Sequence, residues 1–351
     1  MTVTTVQWVE SGEDCPRSLW ERSFPAPLEG GWWYRVLEQS GMESQFRFAY
    51  GVIRRDQEPV GIVPTFLMDV PIDLVAPPLA ARVCRILGTV RRSLRYQRTL
   101  FVGSPGADAW TIGLVPGVGL AGIAQQILPA LGLRRRALHA SMLVFKDLPS
   151  DAAAALAPLV AGRTLFSFPS LPGTRLSLPM GGFRPYLASL PSRHRHNLTK
   201  NLKDGTKVCP LDGSVTRALD KQTLGEVHGL YSQTYAKGTI HFERMPEEFF
   251  RLMGSQECAS YVLLRRPGSG ALAAFMLCFR LGGRVINKFI GLDYSLPRDG
   301  FVYYQLWHHA VEWASASGPV EFQSGQTGYS PKLRLGHDLV PLEILARHRN
   351  P

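Results

Sequence analysis

Residues 284–333 read RVINKFIGLDYSLPRDGFVYYQLWHHAVEWASASGPVEFQSGQTGYSPKL. Val285 to Tyr294 is apolar and rich in strand formers. It stops at a turn, Ser295 to Gly300, that holds Pro297, Asp299 and Gly300. Val302, Leu306, Ala310 and Trp313 then fall four, four and three apart, on one face of a helix. Gly318 and Pro319 stop that helix, and Val320 to Gln323 reads as a short strand. Strand, tight turn, helix, strand aims a helix N-terminus past the end of the first strand. Free N–H groups there favour anions such as phosphate or pyrophosphate. The same pattern also describes a crossover helix that only packs on a sheet.

The chain has 351 residues, which suggests two domains. It is 45% hydrophobic and 19% charged, a composition that buries large cores and excludes a disordered chain. A formal net charge of +11 suits a polyanionic or phosphate-rich partner: nucleic acid, a nucleotide cofactor or an anionic membrane surface. Cys15, Cys84, Cys209, Cys258 and Cys278 are scattered and form no CxxC pair, so neither a zinc knuckle nor a redox motif is expected, and no metal. Reduced thiols in a cytosolic protein are the simplest account. Glu10, Glu13 and Asp14 stand where a signal peptide needs a basic start, and no apolar run is long enough to span a membrane.

The first 45 residues hold Trp8, Trp20, Trp32 and Trp33, read as a docked segment packed into the core or as a stacking platform. Phe46–Arg55 and Val60–Val70 form a hairpin across the turn Asp56–Pro59. Residues 76–97 are Pro- and Arg-rich and read as a basic loop or short helix. Trp110 to Val115 leads into Gly117-Val118-Gly119-Leu120-Ala121-Gly122, which matches GxGxxG between a strand and a helix. A dinucleotide site also needs an acid at the end of the next strand, where only Asp147 is available. A shorter phosphate loop built on Gly117, Val118 and Gly119 needs fewer assumptions. Ser150 is placed to cap a helix over Ala152–Ala161. Proline and glycine crowd positions 169–182, so the domains divide as 1–178 and 179–351.

The second half opens with a helix over Pro185–Lys203. On it His196, Lys200 and Lys203 share a face. With Arg193 they read as a phosphate- or tRNA-facing surface or as a solvated basic face. Leu219–Ala236 is helical. Tyr261–Arg266, Ala271–Leu281 and Val285–Tyr294 form an antiparallel meander. Both halves run through helix, hairpin, further strand, turn, helix and strand in that order, although no residue-level repeat is visible.

Three stretches carry a resemblance. They are the basic helix Leu190–Leu198, Gly291-Leu292-Asp293-Tyr294 with the helix Tyr303–Ala314, and Phe322-Gln323-Ser324-Gly325 through Lys332 to Gly336. Together they resemble the GNAT superfamily of acyltransferases, and within it the tandem-domain branch that includes Fem-type peptidoglycan aminoacyltransferases. The resemblance implies an α/β fold of two tandem GNAT-like domains, each a mostly antiparallel sheet flanked by helices. It implies N-acyl transfer from acyl-CoA to the amine of a small molecule by direct attack, or from aminoacyl-tRNA as in Fem-type relatives. The pyrophosphate loop of the family departs in both halves. Leu114–Gly119 keeps the glycines without the polar first residue, and Ser295–Gly300 keeps one glycine. Arg298, Asp299 and Gly300 stand at that second loop. A module that keeps the fold and binds an anionic ligand without catalysis is the alternative from another class.

Acyl transfer to an amine needs a proton acceptor, donors for the oxyanion, and N–H groups or cations for donor phosphates. Asp293, at the end of the key strand, is a base, an amine-holding carboxylate or a turn cap. Glu243 and His241, in the loop Gly238–Met245, are base candidates or a surface pair. Lys288 interrupts an apolar strand and is expected to face a cleft. Tyr294, Tyr303 and Gln323 line that cleft or join the core. The resemblance carries Lys332 over as a phosphate or carboxylate contact. His308 and His309 read as packing histidines.

Overall fold

The computed structural model describes residues 3–72, 95–107, 112–238 and 241–349. The basic stretch expected over 76–97 lies outside the described residues except for its last three positions, and so do Cys84 and Trp110. Two compact units form. One comprises Met1–Leu171, Ile240–Glu243 and Pro341–Pro351, the other Pro172–Thr239 and Arg244–Val340.

The first unit is built on β1 (Thr4–Val9), β2 (Arg47–Arg55), β3 (Glu58–Pro71), β4 (Tyr96–Val102), β5 (Gly113–Leu114), β6 (Met142–Pro149) and β7 (Phe166–Pro169). Helices α1 (Arg17–Ser23), α2 (Gly31–Gln39), α3 (Leu120–Ala137) and α4 (Ser150–Ala161) accompany them. The expected hairpin is β2 and β3. Arg55 pairs with Glu58, and Asp56 and Gln57 between them both take positive φ, the two-residue turn whose twist suits a hairpin. Ser150 is the first residue of α4, not its cap; Pro149 holds that place without a side-chain bond. The tryptophans follow the packing reading. Trp20 and Trp33 are buried, with their indole N–H groups on the Gly12 carbonyl and the Ser104 hydroxyl.

The second unit holds β8 (Gly173–Leu178), β9 (Asp212–Thr216), β10 (Ala259–Arg265), β11 (Leu272–Leu281), β12 (Arg284–Leu292), β13 (Val320–Gln323) and β14 (Asp338–Val340). Its helices are α5 (Phe183–Ser189), α6 (Ser192–Val208), α7 (Lys221–Lys237), α8 (Glu247–Met253), α9 (Val302–Ser315) and α10 (Tyr329–Arg334). The single helix expected over 185–203 is two, α5 and α6. Pro191 supplies no N–H and holds Leu190 extended, at ψ 147°, so the helix restarts after it.

The C-terminal strand β15 (Leu342–His348) belongs to the first sheet. With it, the two sheets have one plan. The first runs β1-β2-β3-β4-β6-β15-β7, with β5 beside β3; the second runs β9-β10-β11-β12-β13-β8-β14. In each, four antiparallel strands meet a parallel partner, β4 with β6 and β12 with β13. A helix joins each parallel pair, α3 in the first and α9 in the second. The strand after the parallel partner is exchanged. β8, which follows the last strand of the first sheet, sits beside β13, and β15, which follows β14, sits beside β6. The element order read as duplicated in the sequence is thus duplicated in topology.

Helix α9 is seated by its apolar face. Leu306, Trp307, Ala310, Val311 and Ala314 are buried in one cluster with Val262, Met276 and Val285. Trp307 packs its ring at 4.8 Å from Phe322 and 6.1 Å from Tyr186, and its N–H donates to the Tyr186 hydroxyl at 3.0 Å. A buried aromatic of this size stabilises the unit by several kcal/mol, on the order of 3–5 by truncation. Arg280 donates to the Trp313 and Ala314 carbonyls at the C-terminal end of α9, where a cation complements the helix dipole.

Candidate functional site

The site is organised by how β12 leaves its parallel partner. Arg284, Val285 and Ile286 pair with Glu321, Phe322 and Gln323, and there β13 ends. β12 runs on to Leu292 with only β11 beside it. Leu277 pairs with Phe289 and Cys278 with Asn287, so Lys288 is an extra residue, a bulge. Lys288 is 9% exposed and Asn287 7% exposed, and the Asn287 Oδ1 has no hydrogen-bond partner. A buried, unsatisfied acceptor beside a bulge and an unpaired strand edge is costly in a site that serves packing alone.

Asp293 follows β12 directly. Its Oδ1 accepts from the Ser295 amide at 2.9 Å and the Ser295 hydroxyl at 2.6 Å, and Arg266 pairs with Oδ2. Burial acts to raise this carboxyl, but Ser295 and the Arg266 guanidinium outweigh it and hold the group below the ordinary aspartate range. With both oxygens engaged and the charge fixed, Asp293 ties down the bend. That arrangement disfavours it as a proton acceptor.

Arg298, Asp299 and Gly300 form one short 3-10 turn before α9. Phe301 caps α9 in the left-handed region, φ 46° and ψ 41°, which costs a bulky residue about 1–3 kcal/mol. The conformation is held from below. The Gln305 Nε2 donates to the Gly300 carbonyl at 2.7 Å and to the Cys209 carbonyl at 2.9 Å. Helix α6 comes close because its residue 205 is glycine; a Cβ there would lie 2.5 Å from the Gly300 oxygen. No side chain caps α9, and while the Tyr304 amide donates to the Phe301 carbonyl at 2.9 Å, the Val302 and Tyr303 amides before it are left for a ligand.

A cavity of about 410 Å³ lies against that end of the helix. Phe301 and Tyr304 contribute from α9, Arg334 and Leu335 from α10 and the residue after it, and Arg193, His194, Asn197 and Asn201 from α6. The His194 Nδ1 is buried without a partner. Two guanidinium groups, an unsatisfied imidazole, two carboxamides and an uncapped helix N-terminus suit an anion. The fit with a donor phosphate is therefore good on the residues present.

The other expected site residues scatter. His196 and Lys200 are exposed on α6, away from the cavity, and Lys203 lines a different groove. The helix presents the 193/197/201 stripe to the cavity, so of the residues singled out by charge only Arg193 lines it. Tyr294 is 38% exposed, with the Lys237 ammonium 3.9 Å from its ring centre, so it lies on the surface. Tyr303 is half-buried, and burial raises its phenol. Gln323 closes the last parallel pair. Lys332 donates to the Gly325 carbonyl at 3.0 Å and so fastens the loop after β13. His241 and Glu243 group with the first unit, where Phe242 between them packs edge-on against Phe66 and Phe101.

The sequence missed a second cluster at the end of β13. The Ser324 hydroxyl faces the His337 Nε2 at 3.1 Å, and the His337 Nδ1 donates to the Lys332 carbonyl at 3.0 Å. Burial drops the His337 pKa to about 4, so the ring is neutral and accepts from Ser324. Nothing in the spacing of Ser324 and His337 signals this pair.

In the first unit, Gly117, Val118 and Gly119 form the bend before α3. Gly117 is there for its φ of 87°, and a Cβ at Gly117 or Gly119 would meet nothing within 4 Å. The strand before the bend, β5, is two residues long and antiparallel to β3, so the GxGxxG match does not build a dinucleotide fold. Asp147 is held by Lys146 and by the Ser170 hydroxyl and has no ribose-binding role to play.

Residues 192–330 match the family model of the acetyltransferase (GNAT) domain. That domain makes the chain an acyltransferase by class. The tandem arrangement recurs in solved structures. FemX superposes with a TM-score of 0.58 at 10% identity, over 97% of this chain and 96% of its own. L-PGS from Bacillus licheniformis gives 0.54 at 11%, over 90% and 91%. A tandem GNAT protein from the clavulanic acid biosynthesis pathway gives 0.52 at 12%, over 100% and 99%. These likenesses concern the fold. The comparison with curated proteins found no match. No helix among the described residues is long and apolar enough to cross a membrane.

Proposed function

We propose that this protein transfers an acyl group from acyl-coenzyme A to the amine of a small molecule, and that the second unit holds the donor. The observation that carries the proposal is the open edge of β12 leading to an uncapped α9 N-terminus with a cationic cavity against it. Arg193, Arg334 and the first amides of α9 would bind the donor phosphates. The stretch of β12 beyond Ile286, with no described strand on its β13 side, would orient the acyl arm, as a strand edge does for any extended amide. The amine nitrogen then attacks the thioester carbonyl, the C–S bond breaks, and the thiolate leaves with the electron pair. The proton lost by the amine passes through water to the departing thiolate, with Asp293 holding the bend. No covalent enzyme intermediate is required.

The net charge of +11 favours a second reading, an aminoacyl-tRNA donor as the Fem-type resemblance implies. Thermal denaturation separates the two. Coenzyme A at 100 times its Kd raises stability by about 2.7 kcal/mol if it binds only the folded state. That rise, without salt-sensitive retention of aminoacyl-tRNA, is the expected result. Retention of aminoacyl-tRNA with no effect of coenzyme A reverses the order of the readings. Binding of either donor with no turnover of any amine points to the non-catalytic module.

A further inference from the structure

The second unit carries another cavity, of about 560 Å³, that shares no lining residue with the donor cavity. It lies further along α6, where Leu202, Lys203 and Lys207 meet Leu211 and the middle of α9. Its inner wall is His308 and His309. The His309 ring lies on β9 because residue 213 is glycine; a Cβ there would meet the imidazole at 2.3 Å. His308 is wedged edge-on against Phe183, with ring centres 4.4 Å apart. No hydrogen bond joins either imidazole to a described residue, although both are half-buried.

Gln305 lines the floor; it is 5% exposed and spends both N–H groups on the Gly300 and Cys209 carbonyls. The one carboxylate that acts on the two imidazoles, Glu312, already accepts from the Phe183 amide at 2.7 Å. Burial lowers both histidines, so at neutral pH the positive charge of the groove comes from the lysines. The groove therefore pairs leucine and imidazole walls with two ammonium groups at its rim, and nothing in the acyl-transfer reading uses it.

We propose that this groove is a second ligand site, for a small amphiphilic carboxylate whose apolar body lies on Leu202, Leu211 and the imidazoles and whose head meets Lys203 and Lys207. Both parts are needed. Two exposed ammonium groups alone hold an anion weakly in water, and the apolar floor alone has no preference for charge. The site is independent of the donor assignment, since its ligand touches neither Arg193 nor Arg334.

Octanoate is the probe, with octanol and inorganic phosphate as the half-probes. Imidazole C–H resonances of the folded protein are followed at pH 7.5 and assigned with His308→Gln and His309→Gln. The expected result is saturable shifts of His308 and His309 with octanoate, and binding of each half-probe weaker by about tenfold or more. Lys203→Met with Lys207→Met, which keeps the aliphatic stems, should weaken octanoate by a similar factor and leave octanol unchanged. Octanol binding as tightly as octanoate, phosphate binding as tightly, or no saturation with octanoate each overturns the proposal. Coenzyme A titrated into the same sample reads the donor site through His194, so failure of one site is seen apart from failure of the other.

Discussion

In the first unit β4 ends at Val102, the residue that forms its last parallel pair with β6. In the second, β12 forms its last parallel pair at Ile286 and continues to Leu292. One topology, used twice, thus gives a closed parallel pair in one unit and an open edge in the other. The bends differ in the same sense. Gly117 and Gly119 turn the chain in open space, whereas Gly300 and Phe301 are pressed against α6 and face a cationic cavity. A duplicated fold does not duplicate a site, because the site depends on where a strand stops and on which side chains surround the bend.

The largest effect is expected where the units exchange strands. Ending the chain after Pro341 removes β15, including buried Leu342, Leu345 and Ala346, and exposes the β6 edge of the first sheet. The shortened protein should lose cooperative urea unfolding of the first unit. Two-state unfolding at full amplitude would show that the exchanged strand is dispensable.

Next in size is a pH effect from the second unit. His337 stays neutral when folded, with a pKa of about 4, and takes a proton near pH 6.5 when unfolded. Between these values the unfolded state binds more protons, so stability falls as pH falls from 6.5 towards 4, by about 3 kcal/mol at most. Urea midpoints at pH 7.5 and 4.5 measure it. His337→Phe should reduce the difference between them; an unchanged difference assigns it to other groups.

The smallest effects test the two bends against each other. Arg193→Ala and Arg334→Ala should each weaken coenzyme A binding about tenfold, the worth of one charge-assisted contact. Gly117→Ala places a Cβ at φ 87° and should cost about 1 kcal/mol of stability with no change in coenzyme A affinity. Calorimetric titration of the three variants decides it, and equal losses would abolish the contrast between the units.

Much of this was readable in the chain. The period of Val302, Leu306, Ala310 and Trp313 gave the buried face of α9, because a packed helix must repeat its apolar residues every three to four positions. Turn residues marked both hairpins, and the order of elements gave the duplication. The site was harder. Charge pointed to Arg193, His196, Lys200 and Lys203, of which Arg193 lines the cavity, while packing of Leu198 and Gly205 turns the 193/197/201 stripe into it. Asp293 stood at the right place, but its partner Arg266 comes from a neighbouring hairpin, 27 positions away.

The sequence by itself determined the local structure: where strands and helices run, that there are two sets of them, and that a helix begins beyond the key strand. These follow from side-chain periodicity and from glycine and proline, which act within a few residues. Only the tertiary structure decided that β8 and β15 change places, that β12 outruns β13 and bulges at Lys288, and that Ser324 meets His337. Those depend on pairing between distant segments, and hydrogen-bond register across a sheet leaves no mark on either strand alone.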